Sequence, residues 1–145
     1  MTNERDPDIR SGNPFHDLIG VEVVERGAGK ARIRLPVTTQ LKGGVGGSVH
    51  GGVLSALVDI AAIMAISTTI GPHEQMAGTA ELNLSYLRPA AGSEVFATAR
   101  VLKKGRMIVV TDVDVTDSED RLLAKGRLAY AVRQQREQGT GTREE

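Results

Sequence analysis

The chain has 145 residues, 18 basic and 18 acidic side chains, a formal net charge of zero and no cysteine. That length fits one domain around one core, and a neutral balance supplies no field to draw the chain to nucleic acid or an anionic membrane. Two Phe, two Tyr and no Trp leave no stacking platform for single-stranded bases. Without cysteine there is no disulfide, zinc–thiolate site or catalytic thiol, which fits a reducing compartment; we expect the cytoplasm.

The opening "MTNERDPDIRSGNPF" is polar and lacks the apolar core of a signal peptide. Residues 1–12 read as a disordered tail, 13–133 as the folded domain and 134–145, "QQREQGTGTREE", as a second disordered tail. "NPFHDLIG" (13–20) suits a short helical turn, with Asn13 as its cap and Pro14 at its first position. "VEVVERGAGKARIRLPV" alternates on both sides of Gly27-Ala28-Gly29, the signature of a hairpin. Ala31, Ile33 and Leu35 share one face of it, Arg32 and Arg34 the other. A loop follows, with six glycines between Gly43 and Gly52. From about Gly51 to Thr69 the apolar residues Leu54, Leu57, Val58, Ala61, Met64 and Ala65 fall at helical spacing. "GPHEQMAG" breaks the pattern. Alternating runs at 79–90, 93–105, 106–117 and 121–133 then predict about four strands, with "DSED" as a polar turn. Hairpin, one long helix and four strands make an α+β chain, in which an antiparallel sheet of five or six strands wraps the helix.

The stretch "VHGGVLSALVDIAAIMAI" places one carboxylate, Asp59, within an apolar run. At the centre of a membrane span that acid would cost about 2.5–3.5 kcal/mol, so we expect no membrane insertion. Two glycines, Gly51 and Gly52, mark the loop-to-helix junction. The first N–H groups of a helix lack intrahelical partners and sit at the positive end of its dipole. A carbonyl oxygen against the Gly51 or Gly52 N–H would be polarised, and charge developing on it stabilised. Asp59 lies eight residues further on, about 12 Å along the axis, too far to serve the same carbonyl. A twofold dimer removes the difficulty by setting the glycine end of one helix against Asp59 of the other. His50 could be a general base or could hold the loop through a ring hydrogen bond; the second role fits its place better. A tight turn for the glycines and a buried or solvated Asp59 are the bland alternatives.

"HGGVLSALVD" followed by "TAELNLSYLRPA" resembles the hotdog-fold acyl-CoA thioesterases of the PaaI-like, phenylacetate-pathway type, over roughly residues 15–133. The resemblance implies one sheet wrapped around a central helix, and sites at the interface of a homodimer that pairs again into a homotetramer. It implies that Asp59 is the catalytic acid, that the Gly51 amide polarises the carbonyl with His50 and Gly52 shaping the loop, and that Thr79 orients the attacking water. Asp59 would either deprotonate a water or attack directly. The family carries Asn or Gln six residues before the His; here that position is Gly44, so Ser48 or a water would have to substitute. No metal and no cofactor are implied, coenzyme A being part of the substrate. Its phosphates would meet basic residues, for which Arg88, Lys103, Lys104 and Arg106 are the candidates. Leu54, Val58 and Met64 are candidates for the acyl pocket. The competing functions are a non-catalytic acyl-CoA-binding protein, a hotdog hydratase or dehydratase, and a purely structural oligomerisation domain.

Overall fold

A computed structural model describes residues 13–136. Helix α1 (Pro14–Ile19) leads into strands β1 (Glu22–Gly27) and β2 (Lys30–Pro36). Single 3₁₀ turns at Thr39–Leu41 and Val45–Gly47 follow, then the long helix α2 (Gly51–Ser67). Strands β3 (Glu74–Tyr86), β4 (Glu94–Lys104), β5 (Ile108–Thr116) and β6 (Leu122–Gln134) complete the chain. All six strands join one antiparallel sheet in the order β1-β2-β4-β5-β6-β3. This is the hotdog arrangement, with α2 lying along one face of the sheet.

The alternation in the sequence becomes a two-faced sheet. Ile33 and Leu35 of β2, Ala97 of β4, Val113 of β5 and Leu128 of β6 are fully buried against α2. Arg32, Arg34, Thr98, Asp112 and Asp114 point the other way and are partly exposed. On that outer face the charges pair among themselves, Lys125 with Asp112 and Asp114 at 2.7 and 2.6 Å, and Arg34 with Glu22 at 2.7 Å. Ile19 of α1 and Leu41 and Val49 of the long loop are buried in the same core cluster. The helix comes close to the sheet at Gly126, where an added Cβ would lie 2.7 Å from Val58 Cγ1. Only glycine fits there.

Several boundaries differ from the sequence reading. Strand β3 begins at Glu74, not at 79, because only the first residues of "GPHEQMAG" turn. The Glu74 carboxylate is already held by Lys104 and Gln134, and its backbone pairs with β6. Strand β6 runs to Gln134, so the first residue of the expected C-terminal tail is a strand residue. Helix α2 ends at Ser67, whose neighbours Thr68 and Thr69 turn back on the last helical carbonyls. The expectations for residues 1–12 and 137–145 lie outside the described residues. Among the described residues, no helix is long and apolar enough to cross a membrane.

Candidate active site

Helix α2 is almost entirely apolar, yet one stripe of it, Gly52, Ala56, Asp59 and Ile63, is not fully buried. Asp59 is therefore neither in the core nor on a polar solvated face. It sits on a half-open apolar stripe. Its Oδ1 accepts a hydrogen bond from Thr79 Oγ1 at 2.7 Å. Among the described residues no Lys, Arg or His lies within ion-pair distance of it.

Thr79 reaches Asp59 through an irregularity that alternation does not predict. Leu82 and Leu84 face α2, so strict period two would turn Thr79 outward. Bulges between Met76 and Gly78 and between Thr79 and Glu81 reset the register, and Thr79 comes to pair with the inward-facing Tyr130. Bulges commonly re-aim a side chain in this way. Tyr130 is 7 % exposed, and its hydroxyl has no hydrogen-bond partner among the described residues. Burial raises its pKa, and the Asp59 carboxylate raises it further. His16 of α1 stands near the same carboxylate: burial lowers its pKa, against the pull of Asp17 and then Asp59.

The amino end of α2 forms the second half of the site. His50 is the helix cap, and its Nδ1 accepts the Gly52 N–H at 2.8 Å. A neutral imidazole accepting at Nδ1 carries its proton at Nε2, so neither nitrogen is free to act as a base. The Gly51 N–H donates to no acceptor among the described residues. Of the two junction amides, Gly51 is the free donor and Gly52 is committed to His50. Gly51 lines a cleft of about 350 Å³, walled by Val49, Leu54, Tyr86, Leu87 and Arg88.

Gly44 lines the same cleft. An added Cβ there would lie 2.5 Å from Ser48 Oγ and 2.6 Å from the Val49 carbonyl oxygen, so the loop as folded admits no side-chain amide. Ser48, the suggested substitute, is buried and donates its proton to the Val45 carbonyl at 2.7 Å; only its oxygen lone pairs remain.

The structure thus joins Asp59 to Thr79, and Gly51 to His50, Gly52 and Arg88, as two separate halves. The basic candidates also divide. Arg88 follows β3 at its Tyr86 end and borders the cleft. Lys103, Lys104 and Arg106 lie at the Glu74 end of that strand, on the order of 35–40 Å away by strand rise. Lys104 Nζ bonds both oxygens of Glu74 at 2.7 Å and, as the first of several partners, holds that carboxyl down from 4.5 to about 2. Lys103 and Arg106 are exposed. Of the apolar candidates only Leu54 reaches the cleft; Val58 and Met64 are core. Among the described residues no cluster of three or more His, Asp or Glu could hold a metal ion.

Two residues were missed by the sequence reading. Tyr86 Oη donates to the Gly51 carbonyl at 2.8 Å, and Ser55 Oγ lies 2.7 Å from Tyr86 Oη. Both were within reach, since Tyr86 continues the inward alternation of Leu82 and Leu84, and Ser55 stands one turn after Gly51.

The profile of the thioesterase superfamily matches residues 46–124. The chain is 36 % identical to a putative esterase, VNG_1336C, of Halobacterium salinarum, over 79 % of this chain and 82 % of that one. It is 32 % identical to the 1,4-dihydroxy-2-naphthoyl-CoA hydrolase of Listeria monocytogenes, over 84 % of this chain and 98 % of that one. Among solved structures, conserved protein PA5202 of Pseudomonas aeruginosa superposes with a TM-score of 0.76 at 36 % identity, covering 83 % of this chain and 94 % of that one.

Proposed function

Because the chain belongs to the thioesterase superfamily, and with it to the thioester hydrolases, we propose that it cleaves an acyl-CoA thioester into a free acid and coenzyme A, without metal or further cofactor, at two equal sites shared by the subunits of a homodimer. The observation that carries this reading is the separation of the site's two halves. Among the described residues, a carboxylate without a counter-cation on a half-open apolar stripe and a helix-terminal N–H without an acceptor lie eight residues apart on one helix, too far to act together within one chain.

Strand β3 favours a twofold solution. It is the last strand of the sheet, 13 residues long, with one edge that meets no strand among the described residues. Such an edge invites pairing. An antiparallel pairing of two β3 strands about a dyad between Leu82 and Asn83 sets Thr79, and with it Asp59, beside the partner subunit's Tyr86 and Gly51. The same dyad brings the partner subunit's Lys103 and Arg106 toward Arg88, so both groups of basic residues would border one site.

In this arrangement the partner subunit's Gly51 N–H receives the thioester carbonyl oxygen. Asp59 takes a proton from a water that Thr79 helps to orient, and the hydroxide adds to the carbonyl carbon. The resulting oxyanion is held at the Gly51 amide and helix dipole. The C–S bond then breaks, and the sulfur leaves as thiol with the proton that Asp59 took from the water. The alternative route, direct attack by Asp59 to give an anhydride that water hydrolyses, uses the same atoms. Single turnover in ¹⁸O-water identifies the second route where water attacks the Asp59 carbonyl of the anhydride, which leaves label in Asp59 and none in the acid; the first route labels the acid alone.

Asp59→Ala should lower kcat by about 10²- to 10⁴-fold, the range for a lost acid–base group, while the melting curve and dimer mass hold. A thiol-release assay over short, long and aromatic acyl-CoAs is the measurement. An Asp59→Ala protein of parental rate would overturn the assignment. A parent protein that binds acyl-CoA without releasing thiol would turn the reading toward a non-catalytic acyl-CoA-binding sensor or accessory subunit; the closed loop at Gly44 is the feature that would favour that outcome.

A further inference from the structure

We propose that Tyr86 and Ser55 are positioning residues that fix the Gly51–Gly52 peptide and, through it, the tautomer and orientation of His50; the kinetic part of this inference rests on the thioesterase reading above. The hydrogen bonds form one directed chain. Tyr86 Oη donates to the Gly51 carbonyl at 2.8 Å. Its proton being committed, the 2.7 Å contact with Ser55 Oγ has Ser55 as donor. A direct Ser55–Gly51 contact is longer, at 3.3 Å. The Gly51 carbonyl and the Gly52 N–H belong to the same peptide group, and that N–H donates to His50 Nδ1 at 2.8 Å. Each link polarises the next. The chain ends on an exposed imidazole whose proton is forced to Nε2.

Geometry adds a steric hold. The Tyr86 ring lies over Gly51, where an added Cβ would be 3.4 Å from Cε1 and Cζ. The preceding peptide, which carries the free Gly51 N–H, is fixed from its other end by the Val53 N–H on the His50 carbonyl at 2.9 Å. The donor meant for the thioester oxygen is thus held between two anchored peptide planes. Tyr86 is nonetheless 54 % exposed and outside the core cluster. Within one chain, among the described residues, its hydroxyl bonds only to Gly51 and Ser55, which makes orientation of the loop its task there.

The test uses Tyr86→Phe, which keeps the ring and removes the hydroxyl, together with Ser55→Ala and Ser55→Thr. Misplacing a reacting group by about 1 Å can cost about 10²-fold. Tyr86→Phe should therefore lower kcat by about 10- to 100-fold with KM within about twofold. Ser55→Ala should lose several-fold, and Ser55→Thr, which keeps the donor, should stay near parental. The ring nitrogens of His50, assigned by their loss in His50→Ala, should report a proton at Nε2 in the parent and a mixed tautomer in Tyr86→Phe by ¹⁵N NMR. A parental kcat in Tyr86→Phe, or an unmoved His50 tautomer, overturns the inference. So does a loss of activity that only parallels a loss of folded protein. If the parent itself cleaves no thioester, the functional reading fails and the tautomer measurement alone decides this one.

Discussion

A half-buried carboxylate is stable in its charged form only where donors or water replace its lost solvation. Asp59 has one protein donor, Thr79, and no counter-cation among the described residues, so no ion pair offsets its charge at its neighbours. Tyr130 registers that field. Burial and then the Asp59 charge raise its pKa above the ordinary 10.0, because each disfavours the phenolate. The chain has two tyrosines, so in a Tyr86→Phe background Tyr130 titrates alone. Its phenolate absorbance should appear above pH 10.0. Adding Asp59→Asn removes the second cause and leaves the first, so the titration should move down but remain above that value. An identical titration with and without the Asp59 charge would place the carboxylate elsewhere than beside Tyr130.

At the scale of elements, the close approach of α2 to β6 at Gly126 rests on a missing side chain. Val58 packs on the backbone of Gly126, and a Cβ at 2.7 Å from Val58 Cγ1 forces the helix or the strand to move. Gly126→Ala should destabilise the protein by about 1–3 kcal/mol, as overpacking does. In a Val58→Ala background the same change should cost clearly less, the two positions being in direct contact. Chemical denaturation of the four proteins checks this; equal costs in both backgrounds would mean that the close approach is not what selects glycine. The example also marks what sequence can carry. The period-two runs place Ile33, Leu35, Val113 and Val115 inside, because alternation is a property of each strand alone. The helix, its apolar faces and the Gly51–Asp59 spacing are legible for the same reason. Gly126 is not, since its partner lies far along the chain. Nor is the inward turn of Thr79, since bulges at Ala77 and Ala80 arise from pairing with β6. The commitment of Lys104 to Glu74 is likewise a fact of where two strand ends meet.

For the molecule as a whole, the separation of Asp59 from Gly51 makes a prediction that depends only on whether the site is shared. Gly51→Pro removes the free N–H with little disturbance. Proline is favoured at the first helical position, and His50, at φ −57° and ψ 133°, already has the extended backbone that a following proline requires. Asp59→Asn removes the acid. In the proposed dimer each variant alone carries one defect in both sites, and each should be inactive. Subunits exchanged between the two variants give heterodimers in about half of all pairs. In a shared site, one of the two sites of each heterodimer unites the intact Asp59 with the intact Gly51, while the other collects both defects. A fully exchanged mixture should therefore recover about one quarter of the parental kcat, rising with exchange time and absent when the variants are mixed below the exchange temperature. If each subunit carried a complete site, every site in the mixture would keep one defect. No activity would return at any degree of exchange, and the twofold assembly of the site would have to be abandoned.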